Sequence, residues 1–207
     1  MVSDDFSQAT FASKEGEDAF GFYTKFADPS HPLYTWSNSL AYSLDSFASG
    51  DTAVMFNYSH QNGFLREKNP FLNYRVIPIF QPENRTQDVN FANYWGLAVS
   101  NKTRALEAAQ DFILSATTDP SISQIYLESS ARPPALRSLI NQYLNNPDLG
   151  VFAKQALTAR SWPQPDNVAV ENIFNGMIDS VLEGRLTVAR SLEEGENKVS
   201  ELLQRRR

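Results

Sequence analysis

Apolar residues recur at helical spacing over much of this chain, three to four positions apart and on one face. Between Ser13 and Ala27 the face is Ala19, Phe20, Phe22, Tyr23 and Phe26, closed by Asp28-Pro29. A loop with Pro29, Pro32, Tyr34 and Trp36 follows. Leu40, Leu44 and Phe47 then repeat at i, i+4 and i+7, and Gly50 stands where a helix C-cap belongs. The short apolar run Thr52–Phe56 predicts a buried strand, and Ser59 predicts the N-cap of a short helix reaching Lys68 with Phe64 and Leu65. Tyr74–Phe80 predicts a second strand, at an edge or bend because of Pro78. A polar loop over 81–93 leads to a third strand, Trp95–Val99.

The pattern then becomes helical. Ala105, Leu106, Ala109, Phe112 and Ile113 mark a helix over Thr103–Ala116, and Asp119-Pro120 supplies a cap and a first-turn proline for another with Ile122, Ile125 and Tyr126. Arg132-Pro133-Pro134 breaks the chain. Helices are predicted over 135–145, 148–160, 167–183 and 187–204, with Gly184 separating the last two and Thr187 capping the last. Strands alternating with helices indicate an α/β protein rich in helix. Three strands are few for such a fold, because a sheet usually has about five or six.

Length and composition narrow the function classes. At 207 residues, with 42% hydrophobic and 20% charged residues, the chain can bury a core. Its net charge of −6 argues against a nucleic-acid partner, and the basic tail Arg205-Arg206-Arg207 reads as a solvated helix end. No apolar run approaches the roughly 20 residues that span a bilayer, and MVSDDFSQATF has no signal-peptide pattern. Without cysteine there is no disulfide, thiolate metal site or Cys nucleophile.

Chemistry-bearing motifs are sparse. The sequence holds no phosphate loop, dinucleotide fingerprint, nucleophile elbow or H-E-x-x-H. Its histidines are His31 and His60, too few for a zinc site of the usual ligand number. No catalytic residue, cofactor or metal is expected. Pairs such as Asp4-Asp5 and Glu193-Glu194 read as solvated charge. The stretch FNYSH instead gathers an amide, a phenol, a hydroxyl and an imidazole at Asn57, Tyr58, Ser59 and His60, where the predicted strand ends.

Several segments, in order, resemble the C-terminal half of family 1 extracellular solute-binding proteins, the maltose-binding-protein-like components of ABC importers. They are SFASGDTAVMFNYSH, YRVIPIFQPEN, NYWGLAVSNKTRALEAAQDFI, SARPPALRSLI and VLEGRLTVARSLEEGENKVSELL, within residues 10–204. The resemblance implies a periplasmic-binding-protein-like type II fold. Residues 1–91 and 134–207 would form the C-terminal lobe, and 92–133 an excursion into an N-terminal lobe that is otherwise missing. It implies a truncated chain, and incompletely buried apolar faces on Trp95–Val99 and the 103–116 helix.

It also implies a function without catalysis: extracytoplasmic capture of a small solute, a carbohydrate being favoured, for an ABC permease. There would be no nucleic acid, and membrane contact only through that permease or a lipid anchor outside this chain. Family position makes Asn57, Tyr58, Ser59 and His60 ligand-facing. Trp95 and Gly96 are candidates at the crossover, with Trp162 bordering the cleft, Arg132 a candidate to hold a hydroxyl or carboxylate, and Glu171 where some sugar binders carry an aromatic. For each, a structural role is the alternative: core filling for Tyr58, capping for Ser59, packing for Trp95 and Trp162, neutralisation of a helix end for Arg132. A helical protein-interaction module and an unrecognised hydrolase using His60 are the other classes, the second needing a carboxylate near the imidazole.

Overall fold

Caps and breakers set most element boundaries. In the computed structural model, which describes residues 1–37, 39–83 and 85–205, the helices α1 Lys14–Lys25, α8 Asn167–Leu182 and α9 Val188–Gln204 belong to one compact unit. That unit comprises Met1–Leu40 with Trp162–Arg207. Each of these helices begins on a side-chain cap. Ser13 Oγ accepts from Gly16 N at 3.2 Å, Asp166 Oδ1 from Ala169 N at 2.9 Å, and Thr187 Oγ1 from Arg190 N at 3.3 Å. Gly184, at φ 69°, takes the left-handed turn that lets α8 fold back onto α9.

Ala9, Phe11, Met177, Leu192, Val199 and Leu203 make the core of this unit. Leu192, Val199 and Leu203 lie on the buried face of α9. The N-terminal segment is laid along that helix: Ala9 N donates to Ser200 Oγ at 3.0 Å, and Ala12 N to Glu196 Oε2 at 2.6 Å. Ser191, fully buried, donates to the Met177 carbonyl at 3.0 Å and satisfies its hydroxyl. On α1 the predicted apolar face is only partly used. Phe20 packs on the core, whereas Phe22 is exposed and meets Phe26 edge-on at 5.0 Å.

The second unit, Ala41–Ser161, holds α2 Ser43–Ser49, α3 Gln61–Lys68, β1 Asn90–Phe91, α4 Leu106–Thr118, α5 Pro120–Ser130, α6 Arg137–Tyr143, α7 Gly150–Ala156 and β2 Ala159–Arg160. Leu44, Ala48 and Leu65 form its small core, with Phe47, Met55, Leu72 and Tyr74 against it. Gly50 at φ 87° is the predicted C-cap of α2. Leu40 precedes that helix and is exposed. Asp119 caps α5 through Ser121 N and Ile122 N, with Pro120 in the first turn, as its sequence predicts.

Three boundaries move for local reasons. The helix expected from Thr103 starts at Leu106, because Thr103 Oγ1 accepts from Ala105 N at 3.2 Å and holds a turn instead. Asn146 Oδ1 accepts from Asp148 N and Leu149 N, both at 2.9 Å, and separates α6 from α7. The helix expected to reach 160 stops at Ala156, since Ala159 and Arg160 enter a strand pair.

The strand expectations are corrected. Thr52–Phe56, Tyr74–Phe80 and Trp95–Val99 run without a ladder. Among the described residues the sheet is β1 with β2, parallel, pairing Asn90 with Ala159 and Phe91 with Arg160. Strand-like sequence makes a strand only where a partner supplies hydrogen bonds, and here Val54, Phe56, Ile77, Ile79 and Leu97 stay exposed. The apolar surface expected over Trp95–Val99 and the following helix is present: α4 has no buried residue, and Leu106, Phe112 and Leu114 face solvent. Asn84 of the YRVIPIFQPEN segment and the tail residues Arg206 and Arg207 lie outside the described residues.

Candidate functional site

α2, the extended residues after Gly50, and α3 build the base for residues 57–60. The base is tied at several points. Lys68 pairs with Asp45 across α3 and α2, Arg66 donates to Asp148, and Asn69 Nδ2 donates to the Ala48 carbonyl at 2.8 Å. The Asp148 hydrogen bond also raises the pKa of the Arg66 guanidinium above its ordinary value. Tyr74 donates to Asn62 Oδ1 at 3.3 Å, which satisfies a buried amide inside α3.

On this base Tyr58 and His60 form an exposed platform. Their rings are parallel within 13° with centroids 5.9 Å apart, and Tyr58 is 46% exposed. His60 Nε2 and Gln61 Nε2 share a 3.3 Å hydrogen bond. Asn57 Oδ1 accepts from Tyr58 N at 2.9 Å, which fixes the backbone entering the platform, while Asn57 itself is exposed. Two flat faces beside an amide and imidazole nitrogens suit a ligand with apolar faces and a polar rim.

Ser59 differs from its neighbours. It is 3% exposed, and α3 takes His60 as its N-cap residue with no side-chain cap bond. Ser59 contributes a backbone carbonyl that accepts from Asn62 N at 3.1 Å. The predicted hydroxyl cap is therefore replaced by a turn in which the serine is buried.

The remaining candidates lie apart from this pair. Trp95 is 84% exposed, and a Cβ built on Gly96 would meet nothing within 4 Å, so no close approach requires glycine there in this conformation. Arg132, half-buried, follows the left-handed C-cap Ala131 of α5, at φ 50°. Among the described residues, no ring contact or hydrogen bond joins Trp95 or Arg132 to the Tyr58–His60 pair. Trp162 and Glu171 belong to the other compact unit. There Trp162 packs against the core, and Glu171 is exposed on α8.

Phe56 and Phe80 form a second exposed aromatic pair in this unit and were not singled out from sequence. Their rings meet edge-on at 6.3 Å, both exposed. Alternation of Val54, Phe56 and Tyr58 in the extended stretch was the available signal. In the same unit an apolar groove of about 310 Å³ is lined by Leu97, Val99, Thr103, Phe112 and Ile113. Among the described residues no cluster of His, Asp and Glu is arranged to hold a metal ion, and no helix is long and apolar enough to cross a membrane.

Comparison with known proteins agrees with the fold. The crystal structure of the cyclic alpha-maltosyl-1,6-maltose binding protein from Arthrobacter globiformis superposes with a TM-score of 0.72 at 18% identity, over 99% of this chain and 52% of that one. The chain thus spans about half the length of that protein, and the helix-rich architecture is part of a type II binding-protein fold. No curated protein sequence matches the chain. The family model for bacterial extracellular solute-binding proteins matches residues 1–150, and the chain belongs to that family.

Proposed function

We propose that this chain takes part in capturing a carbohydrate outside the cytoplasm for delivery to an ABC permease. The observation that carries this reading is the exposed Tyr58–His60 platform, stacked within 13° beside Asn57. The name of the structural neighbour, which describes a saccharide-binding protein, supports the choice of ligand. The family name supports an extracellular location. No catalysis is assigned: family and neighbour are binding proteins by name.

In this reading residues 1–91 and 134–207 form one lobe and 92–133 enter the other. α4 and α5 pack chiefly on each other. The exposed apolar faces of Leu97, Phe112, Ile125 and Tyr126 are what the remaining half of a two-lobed fold would cover. Trp95, Gly96 and Arg132 would line the cleft near the crossovers.

If a second lobe supplies the other face of the cleft, the affinity of this chain alone should be millimolar at best, about −4 kcal/mol. Calorimetric or saturation-transfer titration with neutral maltose-series oligosaccharides tests this, with Tyr58→Ala and His60→Ala as comparators. Weak binding lost in both variants supports the reading. Micromolar binding by this chain would show that no second half of the grip is needed, and binding indifferent to both substitutions would remove the platform from the account.

A further inference from the structure

We infer that Asn90 is a positioning residue that anchors the root of the 92–133 segment, so that bending begins beyond Phe91. Asn90 is 7% exposed, and both ends of its side-chain amide are engaged. Its Nδ2 donates to Thr158 Oγ1 at 2.6 Å, and its Oδ1 accepts from Gln155 Nε2. Thr158 Oγ1 in turn donates to the Gln155 carbonyl at 3.3 Å, closing a small polar network. The Asn90 backbone adds its place in the β1–β2 ladder opposite Ala159.

The preceding residue is held the same way. Gln81 Nε2 donates to the Val89 carbonyl and Val89 N donates to Gln81 Oε1, both at 3.0 Å, so one side-chain amide imitates a neighbouring strand. Two consecutive residues are thus clamped by side-chain amides. From Ala92 to Ala105 there is neither ladder nor helix, and the helices that follow carry few buried residues. A part-buried network in which both ends of the central amide are engaged resists opening more than its separate bonds suggest. The compliant part of the chain therefore starts where the network ends. This inference rests on the lobe reading above for its purpose, but the anchor itself is separately measurable.

The chain has no cysteine, so spin labels can be attached cleanly at Gln124→Cys on α5 and Lys154→Cys on α7. Pulsed electron-paramagnetic resonance then gives the distance distribution in the full chain. Asn90→Ala should broaden it at least about twofold, because local opening is released where the network is cut. Thr158→Val, which exchanges a hydroxyl for a methyl of similar size, should do the same and serves if Asn90→Ala fails to fold. Ser191→Ala, a buried hydroxyl in the other unit, should lower the unfolding midpoint and leave the width unchanged. Equal widths in wild type, Asn90→Ala and Thr158→Val, or equal broadening by Ser191→Ala, would overturn the inference. Broadening together with saccharide binding that is indifferent to Tyr58→Ala and His60→Ala would leave the anchor standing and remove the platform from the solute reading.

Discussion

Gly195 lies on the buried face of α9 against Met177 of α8, and adding one methyl there has a calculable consequence. A Cβ at Gly195 would sit 2.1 Å from Met177 Sδ, 2.9 Å from its Cγ and 3.0 Å from its Cε. Comfortable contact between such atoms is roughly 3.5–4.0 Å, so the Met177 side chain must leave its place in the core. Overpacking of this kind costs about 1–3 kcal/mol. Alanine inside a helix recovers about 1 kcal/mol over glycine. The steric term is the larger, so Gly195→Ala should destabilise by about 1 kcal/mol and lower Tm by roughly 2–4 °C. In a Met177→Ala background the obstruction is gone, and the same substitution should stabilise by about 1 kcal/mol. Met177→Ala itself costs about 2–5 kcal/mol, so urea unfolding of all four proteins at low temperature is the suitable assay. Equal stabilisation by Gly195→Ala in both backgrounds would refute the packing argument.

Asp166→Ala removes the α8 cap on Ala169 N and should cost about 1 kcal/mol by urea unfolding. Phe112→Ser alters a side chain that is 67% exposed; it should shift stability by less than about 0.5 kcal/mol while reducing binding of a hydrophobic dye. The Asp28 carboxyl is held below its ordinary pKa because the Ser30 hydroxyl and backbone N–H both donate to it. A depressed carboxylate contributes its stability above the unfolded pKa and loses it as pH falls through the folded value. Asp28→Asn keeps an acceptor that does not titrate, so the difference in unfolding midpoint between wild type and variant should shrink from neutral pH to about pH 3.

Local signals made the helices legible. Thr187, Gly50 and Asp119-Pro120 act within their own turn of chain, and each performs the predicted task. The strands were less legible because a strand is a relation between segments. Val54, Ile77 and Leu97 have strand-like contexts but no ladder partner here. Ser59 shows the same limit at a smaller scale, since its composition suits a cap while its burial makes it part of a turn. The Tyr58–His60 neighbourhood was visible as a run of chemistry, but its parallel stacking was not. Asn90 lay in a stretch read only as loop, and its partners Gln155 and Thr158 are distant in sequence. Nothing local announces such a network.

Backbone-amide NMR during titration with a maltose-series oligosaccharide tests solute capture at the Tyr58–His60 platform most directly. Fast-exchange shifts should grow over residues 56–61 and vanish in the Tyr58→Ala variant, with α8 and α9 unperturbed. Shifts confined to α8 and α9, or none in residues 56–61 at saturating saccharide, would contradict it.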